Sequence, residues 1–180
     1  MWQSIVKSGL IAGVIAGAGL SLVVAVGGED LGYGWLGMAV GYAIMLVALS
    51  FVFLGVKRER DQAGGGVIRF WRAFGMGIAI SAIAGVIYVV AWELAQATLI
   101  GGDFATRYGA AMIEQRRAAG ASAAELAKLS REMADFAVQY RDPLVRLPMT
   151  FLEIFPVGVL VSLVSAALLR NPRFLPARVA

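Results

Sequence analysis

The run Pro148-Met149-Thr150-Phe151-Leu152-Glu153-Ile154-Phe155-Pro156-Val157-Gly158-Val159-Leu160-Val161-Ser162-Leu163-Val164-Ser165-Ala166-Ala167-Leu168-Leu169 contains one formal charge, Glu153. A helix needs roughly 20 such residues to cross about 30 Å of hydrocarbon. An isolated strand would leave its backbone groups unsatisfied in lipid, and no paired-strand alternation is present. Three more runs of the same kind precede it, at residues 5–27, 34–56 and 73–100. Across all four, the only other charged side chains are Lys7 and Glu93. Lys7 lies one turn from an end, where its stem lets the ammonium reach the headgroups. The first run is too long for a signal-peptide core of about 7–15 residues, and another span follows closely, so a retained helix is expected.

Composition agrees with four spans. The chain has 180 residues, 59% apolar and 16% charged, against about half and a quarter in soluble domains. It has no Cys and no His, which excludes disulfides, thiolate or imidazole metal sites and a Cys nucleophile. No metal or cofactor is expected. The length suits a single membrane domain over residues 1–180, an all-α integral membrane protein built as a four-helix transmembrane bundle.

Charge placement gives an orientation. Residues 57–72, expected as a loop, carry Lys57, Arg58, Arg60, Arg69 and Arg72 against Glu59 and Asp61, and the C-terminal tail carries Arg170, Arg173 and Arg178. The turn after the first span holds Glu29 and Asp30 and no base. Both termini and the 57–72 segment are therefore expected in the cytoplasm, with residues 101–147 outside. That insertion is nearly charge-balanced and reads as a helical hairpin. Ser122-Ala123-Ala124-Glu125 has capping-box spacing. Leu126, Leu129, Met133, Phe136 and Tyr140 then make one stripe, and Asp142-Pro143 ends it. Upstream, Gly101-Gly102 breaks the third span, Asp103 is a candidate cap, and Phe104, Tyr108, Ala111 and Met112 lie along one side of a second helix. The stripes would face each other, the bilayer surface or a partner.

Small residues at four-residue spacing lie on one helix face and permit close approach in lipid. Each span has such a set: Gly9, Gly13 and Gly17; Gly37 and Gly41; Gly77, Ser81 and Gly85; Gly158, Ser162 and Ala166. With 22 Gly in the chain, one set alone is weak evidence, but four sets favour a tight bundle.

The run Gly41-Tyr42-Ala43-Ile44-Met45-Leu46-Val47-Ala48-Leu49-Ser50-Phe51-Val52-Phe53-Leu54-Gly55-Val56-Lys57, then Gly65-Gly66-Val67-Ile68-Arg69-Phe70 and Ala73-Phe74, resembles the bacterial membrane family known as domain of unknown function 4199. So does the block from Asp142-Pro143-Leu144 through Met149-Thr150-Phe151-Leu152-Glu153-Ile154-Phe155-Pro156-Val157-Gly158. The resemblance implies a small inner-membrane protein with four helices and an extracytoplasmic helical insertion. It carries over no activity and no residue role.

Glu93 and Glu153 are the leading candidates for chemistry, because ionisable groups within spans are costly and often functional. Each lies roughly two turns from the outer end of its span, so similar depths are expected. Together they would hold a proton or a cation, with Gln96, Thr150 and Arg146 on their faces and Pro156 freeing a carbonyl nearby. The competing reading is structural: each Glu bonds Gln, Thr, Trp92 or Tyr108, or pairs with Arg107, Arg141 or Arg146 of the insertion. This reading ranks first, since ion-pair networks also perturb titration. Residues Gly64-Gly65-Gly66-Val67-Ile68-Arg69-Phe70-Trp71-Arg72 lack the Gly-Lys-Ser/Thr ending of a phosphate loop. They read as a joint before an interfacial turn, with Phe70, Trp71 and Phe74 at the headgroups and Arg69 and Arg72 on anionic lipid. Met38, Met45, Met76, Met112, Met133 and Met149 make no copper motif and read as packing. Lys128 and Tyr140 could serve as acid-base groups in principle, but both are expected on an exposed-type helix with nothing converging on them.

The expected function is non-catalytic: an accessory or assembly subunit, or a self-associating scaffold, using the hairpin on a protein partner or a second copy. The alternative is a proton- or cation-coupled transporter or channel on Glu93 and Glu153. A lipid-acting enzyme on Glu153, Arg146 and Tyr140 is a third class. Nucleic acid is not an expected partner, because the basic residues serve topology.

Overall fold

The computed structural model describes residues 1–26, 35–101 and 104–176, and among these there are helices but no strand. They are α1 (Trp2–Val26), α2 (Trp35–Ala63), α3 (Phe70–Ala95), α4 (Phe104–Ala118), α5 (Ala123–Tyr140) and α6 (Pro143–Leu169). A π-helical turn, Gln96–Ile100, prolongs α3. Among the described residues, α1, α2, α3 with its π turn, and α6 are long and apolar enough to cross a membrane. The chain is a multi-pass membrane protein.

Two helix ends differ most from expectation, and each of these differences has a local cause. The apolar run of α2 ends at Val56, yet the helix continues to Ala63. Lys57 and Asp61 pair across one turn at 2.5 Å, and Glu59 and Arg60 are buried with partners. Residues 57–63 are therefore helix, as are 70–72 of α3, and only residues 64–69 connect them. In that connection Gly65 (φ +58°) and Gly66 (φ +85°) take left-handed conformations, and the Gly66 amide donates to the Arg60 carbonyl. The fourth span begins at Pro143 rather than 148. Asp142 Oδ1 accepts from the Leu144 amide at 2.9 Å and Pro143 occupies the first turn, so Asp142-Pro143 both ends the hairpin and starts α6. The helix then runs unbroken through Pro148 and Pro156. The capping box is present as read: Glu125 N donates to Ser122 Oγ (3.3 Å) and Ser122 N to Glu125 Oε2 (2.8 Å). The candidate cap Asp103, and Gly102, Glu29, Asp30 and Arg178, lie outside the described residues.

Small residues set the packing. A Cβ added at Gly9, Gly13 or Gly17 of α1 would come within 2.7, 2.6 and 2.6 Å of Ile83, Ile87 and Ala91, so α1 and α3 run parallel in close contact. Helices α3 and α6 are antiparallel: Gly77 faces Ser162, Ser81 faces Gly158, and Gly85 faces the Phe151 ring. The Ser81 and Ser162 hydroxyls meet at 3.3 Å. Ala166 is fully buried on the same face. The α2 set behaves differently. A Cβ at Gly41 would meet nothing within 4 Å, and Gly37 and Gly41 both line a cavity, so this pair is not a packing seam within the bundle. Helix α2 is instead held by its second half, where Ala48, Leu49, Val52 and Val56 are fully buried.

The hairpin α4–α5 lies at one end of the bundle, and residues 57–72 and the C-terminal tail lie at the other. At the tail end Arg60 has no exposed surface. It donates to Asp61 Oδ1 (2.7 Å) and to the carbonyls of Phe174 (2.9 Å) and Leu175 (2.5 Å). Glu59 accepts from Ser4 Oγ at 3.2 Å and lies 3.6 Å from the Arg72 guanidinium. Phe70, Trp71 and Phe74 form one aromatic cluster there, with Trp71 outermost.

Candidate functional site

The α3–α6 register decides which polar groups meet. Each step of four up α3, from Gly77 to Ser81, is a step of four down α6, from Ser162 to Gly158. Twelve residues further in each direction, the same register brings Glu93 opposite Arg146. They form a two-pronged ion pair, with Arg146 Nη2 to Glu93 Oε2 at 2.6 Å and Nε to Oε1 at 2.8 Å. Arg146 also donates to the Tyr140 carbonyl (3.2 Å) and stands 5.8 Å from the Tyr140 ring centroid. Thr150 Oγ1 donates to the Arg146 carbonyl at 3.0 Å.

Glu93 and Glu153 therefore do not share a site. Glu153 lies seven residues beyond Arg146 on α6, about 10 Å deeper along the helix. Its partner is Tyr88, whose hydroxyl is 3.4 Å from Oε2. The expectation of equal depth fails because α6 starts five residues before the apolar run it was measured from. Gln96 is not drawn to Glu93 either. It is buried in the π turn, and among the described residues its Nε2 has no hydrogen-bond partner. The π turn closes on Gly101 (φ +71°), whose amide donates to the Gln96 carbonyl.

The hairpin is joined to the bundle through aromatic rings. Trp92 Nε1 donates to the Tyr140 hydroxyl at 2.7 Å, and the Trp92 ring meets Phe104 edge-on at 4.8 Å. Phe104, Tyr108, Phe136 and Tyr140 continue the cluster with centroid separations of 5.3–6.2 Å. Burial pushes the Tyr140 hydroxyl above its usual titration range. The stripes of α4 and α5 thus face each other and the bundle. Their outward sides carry Arg107, Glu114, Arg117, Lys128, Arg131 and Asp135.

Beneath this roof is a cavity of 810 Å³. Its walls come from the hairpin-side half of α2, from α1, from Tyr88 and Trp92 of α3 and from Met149, Thr150 and Glu153 of α6. Helices α2 and α6 touch lower down, where the Leu49 side chain reaches Gly158, and the open space at Gly41 lies above that contact. Five of the six methionines read as packing line the cavity: Met38, Met45, Met112, Met133 and Met149. Unbranched thioethers adapt to a ligand's shape, which is their use at promiscuous binding surfaces. Their convergence, and that of Tyr88 with Glu153, was not legible from helical spacing, because the residues come from five different helices.

The described residues contain no cluster of three or more His, Cys, Asp or Glu able to hold a metal ion. No curated protein and no solved structure matches the chain. The family model described as a protein of unknown function, DUF4199, matches residues 7–171, and the chain belongs to that family.

Proposed function

We propose that this protein is a non-catalytic membrane protein that receives an apolar molecule from the bilayer in the chamber beneath its hairpin. The observation that carries the reading is the 810 Å³ cavity lined by methionines and aromatic rings from α2, α3, α6 and the hairpin, with aliphatic side chains of α1 completing the wall. Its size and predominantly apolar walls with a few polar groups are those of a ligand site. Glu93 is bound to Arg146, which removes the paired-carboxylate basis for a proton- or cation-coupled transporter. The hairpin's apolar stripe is used inside the molecule, so an accessory role through a protein partner would rest on its polar outer side. In this reading the hairpin faces the outside of a bacterial inner membrane, and the basic 57–72 segment and both termini face the cytoplasm.

The test uses a variant with Trp2, Trp35 and Trp71 replaced by Phe, leaving Trp92 in the chamber wall as the reporter. A brominated long-chain alcohol is expected to quench Trp92 saturably in mild detergent. Gly41→Phe, which fills open space, is expected to abolish the saturable component. Quenching that rises linearly and equally in both proteins would refute the chamber.

A further inference from the structure

Resting on the chamber reading, we propose that the ligand is a lipophilic organic cation, an ammonium or phosphonium on an apolar body, held against Glu153 and the surrounding rings. Among the described residues lining the cavity, Glu153 is the one formally charged side chain. It is open to the chamber, and among the described residues no Lys or Arg lies within ion-pair distance of it. The nearby Arg146 is committed to Glu93. Tyr88 offers Glu153 one long hydrogen bond of 3.4 Å, which leaves most of the carboxylate's acceptor capacity unused.

A carboxylate facing apolar walls is costly unless a counter-charge joins it. The walls supply the second half of a cation site. The rings of Tyr42, Tyr88, Trp92, Phe104 and Tyr140 line the same space. Aromatic faces carry negative quadrupole density and attract cations, ammonium ligands in aromatic cages above all. An anionic amphiphile would be repelled by Glu153. A neutral one would fill the space but leave the charge without a partner. A small hydrated metal ion would find one carboxylate where several oxygen ligands are needed.

The experiment compares two ions of nearly the same shape and opposite charge, tetraphenylphosphonium and tetraphenylborate. Equilibrium dialysis is run on the full chain in a neutral maltoside, with protein-free micelles subtracted. Wild type is expected to bind tetraphenylphosphonium saturably and at least tenfold more tightly than tetraphenylborate. Glu153→Gln is expected to lose tenfold or more for the cation while keeping saturable Trp92 quenching by the brominated alcohol. Equal affinity of wild type for the two ions overturns the cation assignment and needs no variant. So does an unchanged cation affinity in Glu153→Gln. In both cases retained alcohol quenching leaves the chamber standing, whereas loss of both ion and alcohol binding in wild type overturns the chamber as well.

Discussion

Replacing Arg146 by Met should detach the hairpin end of α6 from α3, and the geometry sets the size of the effect. Arg146 makes two short charged hydrogen bonds to Glu93, and the two side chains are 18% and 31% exposed. Removing one member of a fully buried pair costs about 3–5 kcal/mol, mostly through the charge left behind. Partial exposure lets solvent screen the remaining Glu93, so about 2–3 kcal/mol is expected for Arg146→Met. Glu93→Gln should cost about 1–2 kcal/mol, because the amide retains one acceptor for the guanidinium. The double variant removes both charges and should cost less than the sum, giving a coupling of about 1–2 kcal/mol. The assay is denaturant unfolding in mixed micelles followed by Trp92 fluorescence, since Trp92 sits beside the pair and bonds Tyr140. A coupling below about 0.5 kcal/mol would refute the claim that this pair fastens the hairpin end of α6 to α3.

Other perturbations test other parts of the molecule. Gly13→Ala places a methyl 2.6 Å from Ile87 and should cost about 1–3 kcal/mol, whereas Gly41→Ala should be nearly neutral; equal unfolding midpoints would contradict the α1–α3 seam. Arg60→Lys cannot span the Phe174 and Leu175 carbonyls with a planar fork, so tryptic cleavage at Arg173 should accelerate several-fold in detergent; an unchanged rate would place the tail's anchor elsewhere. The Ser122 amide and hydroxyl bond the Glu125 carboxylate and hold it below its ordinary value of 4.5. The folded state thus binds the proton less tightly than the unfolded one, and the stabilisation is full above that value. Wild type should lose its advantage over Glu125→Ala as pH falls from about 4.5 downward, measured as the difference in thermal midpoints. A difference that stays constant between pH 7 and 3 would show that the ionised Glu125 carboxylate contributes nothing.

The spans were legible because lipid imposes one requirement, an unbroken apolar helix, that a single run such as residues 148–169 displays by itself. The capping box was legible for a similar reason: Ser122 and Glu125 satisfy each other within one turn. Relations between elements were less accessible. The depths of Glu93 and Glu153 depend on where α6 begins, and that is fixed by Asp142 capping Leu144 rather than by hydropathy. Glu59 and Arg60 carry the signature of exposed topogenic charge, yet both are buried, because Ser4, Arg72 and the Phe174 and Leu175 carbonyls come from distant parts of the chain. Spacing alone could not separate Gly13 from Gly41. One meets Ile87 and the other meets open space, and only the neighbouring helix makes the difference.

That difference also explains why a small bundle contains a chamber. Glycine and serine seams bring α1, α3 and α6 together along much of their length, and such contacts in lipid depend on backbone proximity more than on apolar burial. Helix α2 joins this slab through Leu49, Val52 and Val56 toward the tail end, where Gly158 and Gly55 allow close approach. Toward the hairpin its inward positions are Gly37 and Gly41, too small to fill the space that the parallel helix α6 leaves, and Met38 and Met45 border that space without closing it. The hairpin then covers the gap from above, with Phe104, Phe136 and Tyr140 held over it by Trp92 and the Glu93–Arg146 pair. Filling the α2 side with large residues would satisfy packing equally well. The chain instead places glycine and flexible methionine there, across from the Glu153 carboxylate of α6, an arrangement that makes physical sense for the guest proposed above.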